Sequence, residues 1–91
     1  MIVPVKGVAA MSVDLRGIVE GDALTLVAEP ENKHDPHAIR VEHGGRRIGY
    51  LAKELAARIT ADAYEASVAY VLRYENVPAG LRILLNRREK S

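Results

Sequence analysis

The chain has 91 residues, with 13 Lys and Arg against 12 Asp and Glu, a net charge of +1, and no cysteine. Such a length makes one domain, 1–91, that buries roughly 60–65% of its unfolded surface. The absence of cysteine excludes disulfide staples, thiolate nucleophiles and Cys-type zinc sites, and it fits a reducing cytoplasm.

Val3, Val5 and Val8 begin a first strand that passes Gly7 and fades near Val13. Glu20-Gly21-Asp22 is a turn. Ala23 to Ala28 alternates, with Leu24 and Leu26 on one face, until Pro30 stops it. Ala38 to Glu42 is a short strand with Ile39 and Val41 on one side. His43-Gly44-Gly45 supplies the positive φ of a tight hairpin, which returns through Arg46 to Tyr50. Ile48 and Leu51 have opposite parity, so Gly49 is the place for a bulge or bend, with Tyr50 at the corner.

Lys53 to about Asp62 reads as a helix, on the apolar stripe Ala52, Leu55, Ala56 and Ile59. Ser67 to Glu75 alternates with Val68, Tyr70, Leu72 and Tyr74 on one face. Asn76 to Gly80 is read as the turn into Leu81–Asn86, where Leu81, Ile83 and Leu85 share a face. The tail, 87–91, is expected to fray. About six short strands with one helix between the fourth and fifth predict a mostly β fold, a small OB-like antiparallel barrel. A ferredoxin-like arrangement would need a second long helix.

Hydrophobic residues make up 48% of the chain and aromatics 4%, so Val, Ile, Leu and Ala build the core. No signal-peptide pattern opens it and no apolar run approaches a membrane span, so a cytoplasmic protein without a membrane partner is expected. Charge is unevenly spread. Residues 1–45 hold four basic and seven acidic side chains, −3, and residues 46–91 hold nine and five, +4. A local basic patch is therefore possible, with few phosphate contacts and salt-sensitive binding.

Candidate chemistry gathers in Glu29–Val41 and at Arg46–Leu51. Asp35 precedes Pro36, which stiffens the loop; its carboxylate either accepts a ligand hydroxyl or caps its own loop. Asn32 has the same two uses. His34, Asp35 and His37 invite a metal reading, but lack the spacing of a zinc site. No serine lies in a nucleophile motif and no Gly-rich phosphate loop precedes a helix, so no catalytic residue is assigned. Tyr50 either stacks on a base or plugs the barrel, while Tyr64, Tyr70 and Tyr74 suit core or rim. Lys53, at the helix start, is placed to meet a phosphate or plain solvent.

Taken together, Glu29-Pro30-Glu31-Asn32, Asp35-Pro36, Ala38-Ile39 and Val41, then Gly45, Ile48-Gly49-Tyr50-Leu51 and Glu54-Leu55-Ala56, resemble the HIRAN domain. The likeness runs from Gly17 to about Ala57, and Gly21-Asp22-Ala23-Leu24 fits its small stand-alone bacterial members. The resemblance implies an OB-like barrel of a kind also fused to fork-remodelling DNA translocases and nucleases. It implies capture of the 3′-hydroxyl end of single-stranded DNA, in DNA repair or replication-fork processing. Asp35 falls where the family places the carboxylate that accepts the 3′-hydroxyl, and Asn32 at a polar position of the same loop. His34 replaces an aromatic ring that packs on the terminal nucleotide. Tyr50 stands at a His or aromatic position, and Lys53 where a basic side chain meets phosphate.

Two features of the family pattern are missing. An Arg-Tyr pair would align near Val13 and Asp14, and a late aromatic near Ala79 or Gly80. The expectation is a binding module for a single-stranded DNA 3′ end, without cofactor, metal or catalytic residue of its own. A helicase or nuclease acting in trans is a candidate partner. A protein-interaction module that has lost end binding is the alternative, and a metal-dependent hydrolase using His34, Asp35 and His37 a remote one.

Overall fold

The computed structural model describes residues 1–8 and 13–89. The expected first strand stops at Pro4, short of Gly7 and Val8, while its passage through 9–12 and the end of the tail, 90–91, lie outside the described residues. The elements are β1 (Ile2–Pro4), β2 (Ala23–Ala28), β3 (Ile39–His43), β4 (Arg46–Tyr50), α1 (Lys53–Ala56), β5 (Tyr64–Tyr74) and β6 (Val77–Arg87). The strands form one antiparallel sheet in the order β1-β6-β5-β2-β3-β4. It curls until its edges meet. Lys6, two residues past β1, exchanges both backbone hydrogen bonds with Tyr50 of β4, at 2.7 and 2.9 Å. Among the described residues one bridge crosses the seam of this partly open, OB-like barrel, and one α-helix lies between the fourth and fifth strands as expected.

Alternation decides which side chains enter the barrel. Leu81, Ile83 and Leu85 of β6 are buried, as are Ile39 and Val41 of β3 and Leu24 of β2. Gly44 and Gly45 turn the β3–β4 hairpin with φ of +56° and +80°, the paired left-handed turn that follows strand twist. The predicted bulge lies one residue earlier than Gly49. Val41 opposes Gly49 and Glu42 opposes Arg47, so Ile48 is the extra residue. Ile48 and Leu51, despite opposite parity, are then both buried, at 0% and 3% exposure. Gly49 serves the seam instead. A Cβ there would stand 2.6 Å from the Lys6 carbonyl oxygen and would collide with Val5 Cγ1.

Other expectations are corrected as well. The helix ends at Ala56 rather than near Asp62, and a 3-10 turn follows at Ala61–Ala63. Its N-cap is Ala52, which makes no capping bond, and Arg58 N–H already reaches back three residues to the Leu55 carbonyl. The apolar stripe is real, because Leu55, Ala56 and Ile59 all meet the core, but packing does not require a continuous helix to use it.

The β5–β6 turn is Glu75-Asn76 alone, at φ of +49° and +67°, not Asn76–Gly80. Pro78 and Gly80 belong to β6, with Pro78 beside a register shift, where the ladder is already interrupted. β5 also begins three residues early, at Tyr64. Its register slips between Val68 and Tyr70, so Val68 and Val71 face the core while Tyr70 faces outward.

Candidate nucleic-acid interface

The loop from β2 to β3 is organised from within. Glu29 N–H donates to the Ala38 carbonyl at 3.0 Å and closes its base. Asn32 Oδ1 accepts from the backbone N–H groups of His34 and Asp35, at 2.8 and 3.0 Å, while its Nδ2 donates to Glu29 Oε1 at 2.9 Å. Asn32 therefore holds the loop's shape, the first of its two expected uses to be visible. Asp35 Oδ1 accepts from His37 N–H at 2.9 Å, the expected self-capping. Among the described residues, the other carboxylate oxygen, Oδ2, has no partner. Capping and ligand reading thus use different oxygens of one side chain.

Tyr50 is not a barrel plug. It opposes Arg40 across the β3–β4 ladder, and Ile39 and Val41 on either side of Arg40 are buried, so the Tyr50 ring lies on the outer face. Its hydroxyl lies 2.9 and 3.1 Å from the two Glu29 carboxylate oxygens. Arg47 Nη1 donates to the same hydroxyl at 3.3 Å, with its guanidinium carbon 5.9 Å from the ring centroid. The ring is fixed before any ligand arrives.

Glu29 is the hub that sequence reasoning passed over. Arg40 Nη1 donates to its Oε2 at 3.0 Å, and Arg40 Nε makes an ion contact with Glu42 at 2.7 Å without the alignment of a hydrogen bond. Burial pushes the Glu29 carboxyl up. Hydrogen bonds from Asn32, Tyr50 and Arg40, with the Arg40 charge, outweigh that and hold it below its ordinary value.

Asn32, His34, Asp35, Tyr50 and Lys53 all line one open depression of about 510 Å³, completed by Lys6, Ala38 and Leu51. The sequence-predicted set is therefore brought together from two separate segments. Ala38 and Leu51 give it an apolar floor, and Tyr50 a fixed aromatic wall. His34 and Lys53 are exposed at the rim, and Asp35 is half-buried. Lys6 is the second missed residue. It supplies a cation opposite the loop because the seam bridge holds it beside Tyr50. Lys53 acts by its own charge, since the four-residue α1 has too few aligned peptides for a useful dipole.

His37 does not line the depression, and no three His, Cys, Asp or Glu side chains among the described residues gather as a metal-binding group. No helix among the described residues is long and apolar enough to cross a membrane. The positions near which the resemblance would align an Arg-Tyr pair have other uses. Val13 packs on the core, and Asp14 pairs with Arg16 at 3.0 Å, which holds its carboxyl down at about 2.

No curated protein and no solved structure matched the chain. The sequence does match the HIRAN domain over residues 3–87, nearly its whole length and all or most of each of the six strands. With the curled six-stranded sheet, that match makes the chain a member of the HIRAN domain family, a family of nucleic-acid-binding modules.

Proposed function

We propose that the protein is a non-enzymatic module that captures the 3′-hydroxyl end of single-stranded DNA. It would serve DNA repair or replication-fork processing in the cytoplasm, presenting the end to a helicase or nuclease in trans. The observation that carries this reading is the free Asp35 Oδ2 in a depression with a fixed tyrosine and two lysines. A hydroxyl has a proton to donate to that oxygen, whereas a continuing strand would set an anionic phosphate against it. The end is selected because the wrong ligand meets like charge and loses its donor. His34 and Tyr50 contact the terminal sugar and base, Asn32 holds the loop, and Lys53 and Lys6 neutralise backbone phosphates.

Fluorescence anisotropy with 5′-labelled single strands ending in 3′-hydroxyl or 3′-phosphate tests this. The hydroxyl strand binds more tightly, by about tenfold or more, the scale of one lost charge-assisted hydrogen bond. Asp35→Asn keeps an oxygen to cap His37 N–H and removes the charge, so it should fold normally and lose the preference. Equal binding of both strands by the unaltered protein overturns the proposal.

A further inference from the structure

The outer face of the sheet continues from this depression in one direction. Ile83 opposes Val3 and faces the core, so the neighbouring rungs, Ile2 with Leu84 and Pro4 with Arg82, face outward. Arg82 in turn opposes Tyr70 on β5. At the other end the same alternation passes from Pro4 over buried Val5 to Lys6, the residue bridged to Tyr50. An outward stripe therefore runs Tyr50, Lys6, Pro4, Arg82, Tyr70, from β4 across the barrel seam to β1, β6 and β5. Lys6 and Tyr70 are separated by two residues of strand and two strand spacings, roughly 12 Å on the diagonal.

The stripe has an unusual composition for a face turned to water. Tyr70 is 40% exposed, and Ile2, on the outward rung of Leu84 and Ser67, is 56% exposed. Its charges are Lys6 and Arg82, and no carboxylate stands on these rungs. Arg82 makes one long bond to the Leu81 carbonyl, 3.4 Å, and no ion pair among the described residues. An aromatic face with an adjacent guanidinium, on rungs of β1, β6 and β5 that carry no carboxylate, is what a base and its phosphate require. A protein partner would be served by the apolar residues but gives no reason for the two cations.

We infer that Tyr70 and Arg82 form a second subsite, which takes the nucleotides on the 5′ side of the terminal one. The inference rests on the end-capture reading for its polarity. Tyr70 stacks on a base and Arg82 neutralises a phosphate, while Lys6 is shared between subsite and pocket. Affinity then grows with strand length, and end selectivity stays with Asp35.

The test compares a 3′-hydroxyl trinucleotide with a 3′-hydroxyl octanucleotide, each also as its 3′-phosphate. The unaltered protein binds the octanucleotide more tightly. Tyr70→Ala lowers that affinity by about tenfold, the loss of one stacked base, and Tyr70→Phe restores it. Arg82→Gln reduces the slope of log affinity against log salt by about 0.7, one single-strand phosphate contact. Thermal unfolding shows whether each variant is folded. All three keep the hydroxyl-over-phosphate preference. Octanucleotide binding and salt slope unchanged in folded Tyr70→Ala and Arg82→Gln overturn the subsite and leave the end reading standing. A length advantage that Tyr70→Ala abolishes, in a protein with no end preference, supports the subsite and removes the end reading.

Discussion

Glu29 accepts hydrogen bonds from Asn32 and Tyr50 and an ion pair from Arg40, so one carboxylate ties the loop to the β4 corner and to β3. Its side chain is only 16% exposed, which puts these bonds largely out of water's reach. Glu29→Gln should cost about 1–3 kcal/mol at neutral pH, a fall in melting temperature of roughly 4–8 °C per kcal/mol for a domain this size. Because folding lowers the Glu29 pKa, its stabilisation is full above the unfolded value, near 4.5, and is lost as pH falls through the folded one. Unfolding midpoints of the two proteins should therefore converge in acid. A constant gap down to pH 2 would contradict this role. The grips themselves were legible, because Asn and Asp beside Pro announce a stiffened loop and the spacing of the whole set announces a family. Glu29 stood inside the same motif without a role, since its partners Arg40 and Tyr50 lie 11 and 21 residues away.

At the scale of elements, the seam between the β1 extension and β4 places Lys6 at the depression. It depends on Gly49 having no side chain. Gly49→Ala should destabilise the fold by about 1–3 kcal/mol, as overpacking does. Its more specific effect is to open the Lys6–Tyr50 bridge. Amide exchange at Lys6 and Tyr50 should accelerate while the β5–β6 amides stay protected; uniform loss of protection would show the seam is not a separate unit. The sequence reading named Gly49 for a bulge, because only the local parity conflict of Ile48 and Leu51 was visible. That Val5 and Lys6 press on it is a tertiary fact. The same distinction explains the other corrections. The strands and the Gly44-Gly45 turn follow from local pattern, whereas the slip at Ala69 reversed an alternation that looked regular through Tyr74. Leu55 and Ile59 kept their places on the core after the helix that suggested them had ended.

For the whole molecule, the net charge of +1 gives no broad cationic field. Selectivity must come from the shape and chemistry of one small region, and affinity should be moderate and weaken with salt. The basic half of the chain reaches that region through Lys53, and the acidic half contributes Asp35 from its stiffened loop. The barrel's curvature adds Lys6, because β1 and β4, at opposite edges of the sheet, become neighbours. The most direct test of end capture uses a strand that has no end. In competition against a labelled linear 3′-hydroxyl strand, an unlabelled linear strand should displace it, and a circular single strand of the same sequence should displace it poorly at equal nucleotide concentration. Equal displacement by the circle would contradict the account.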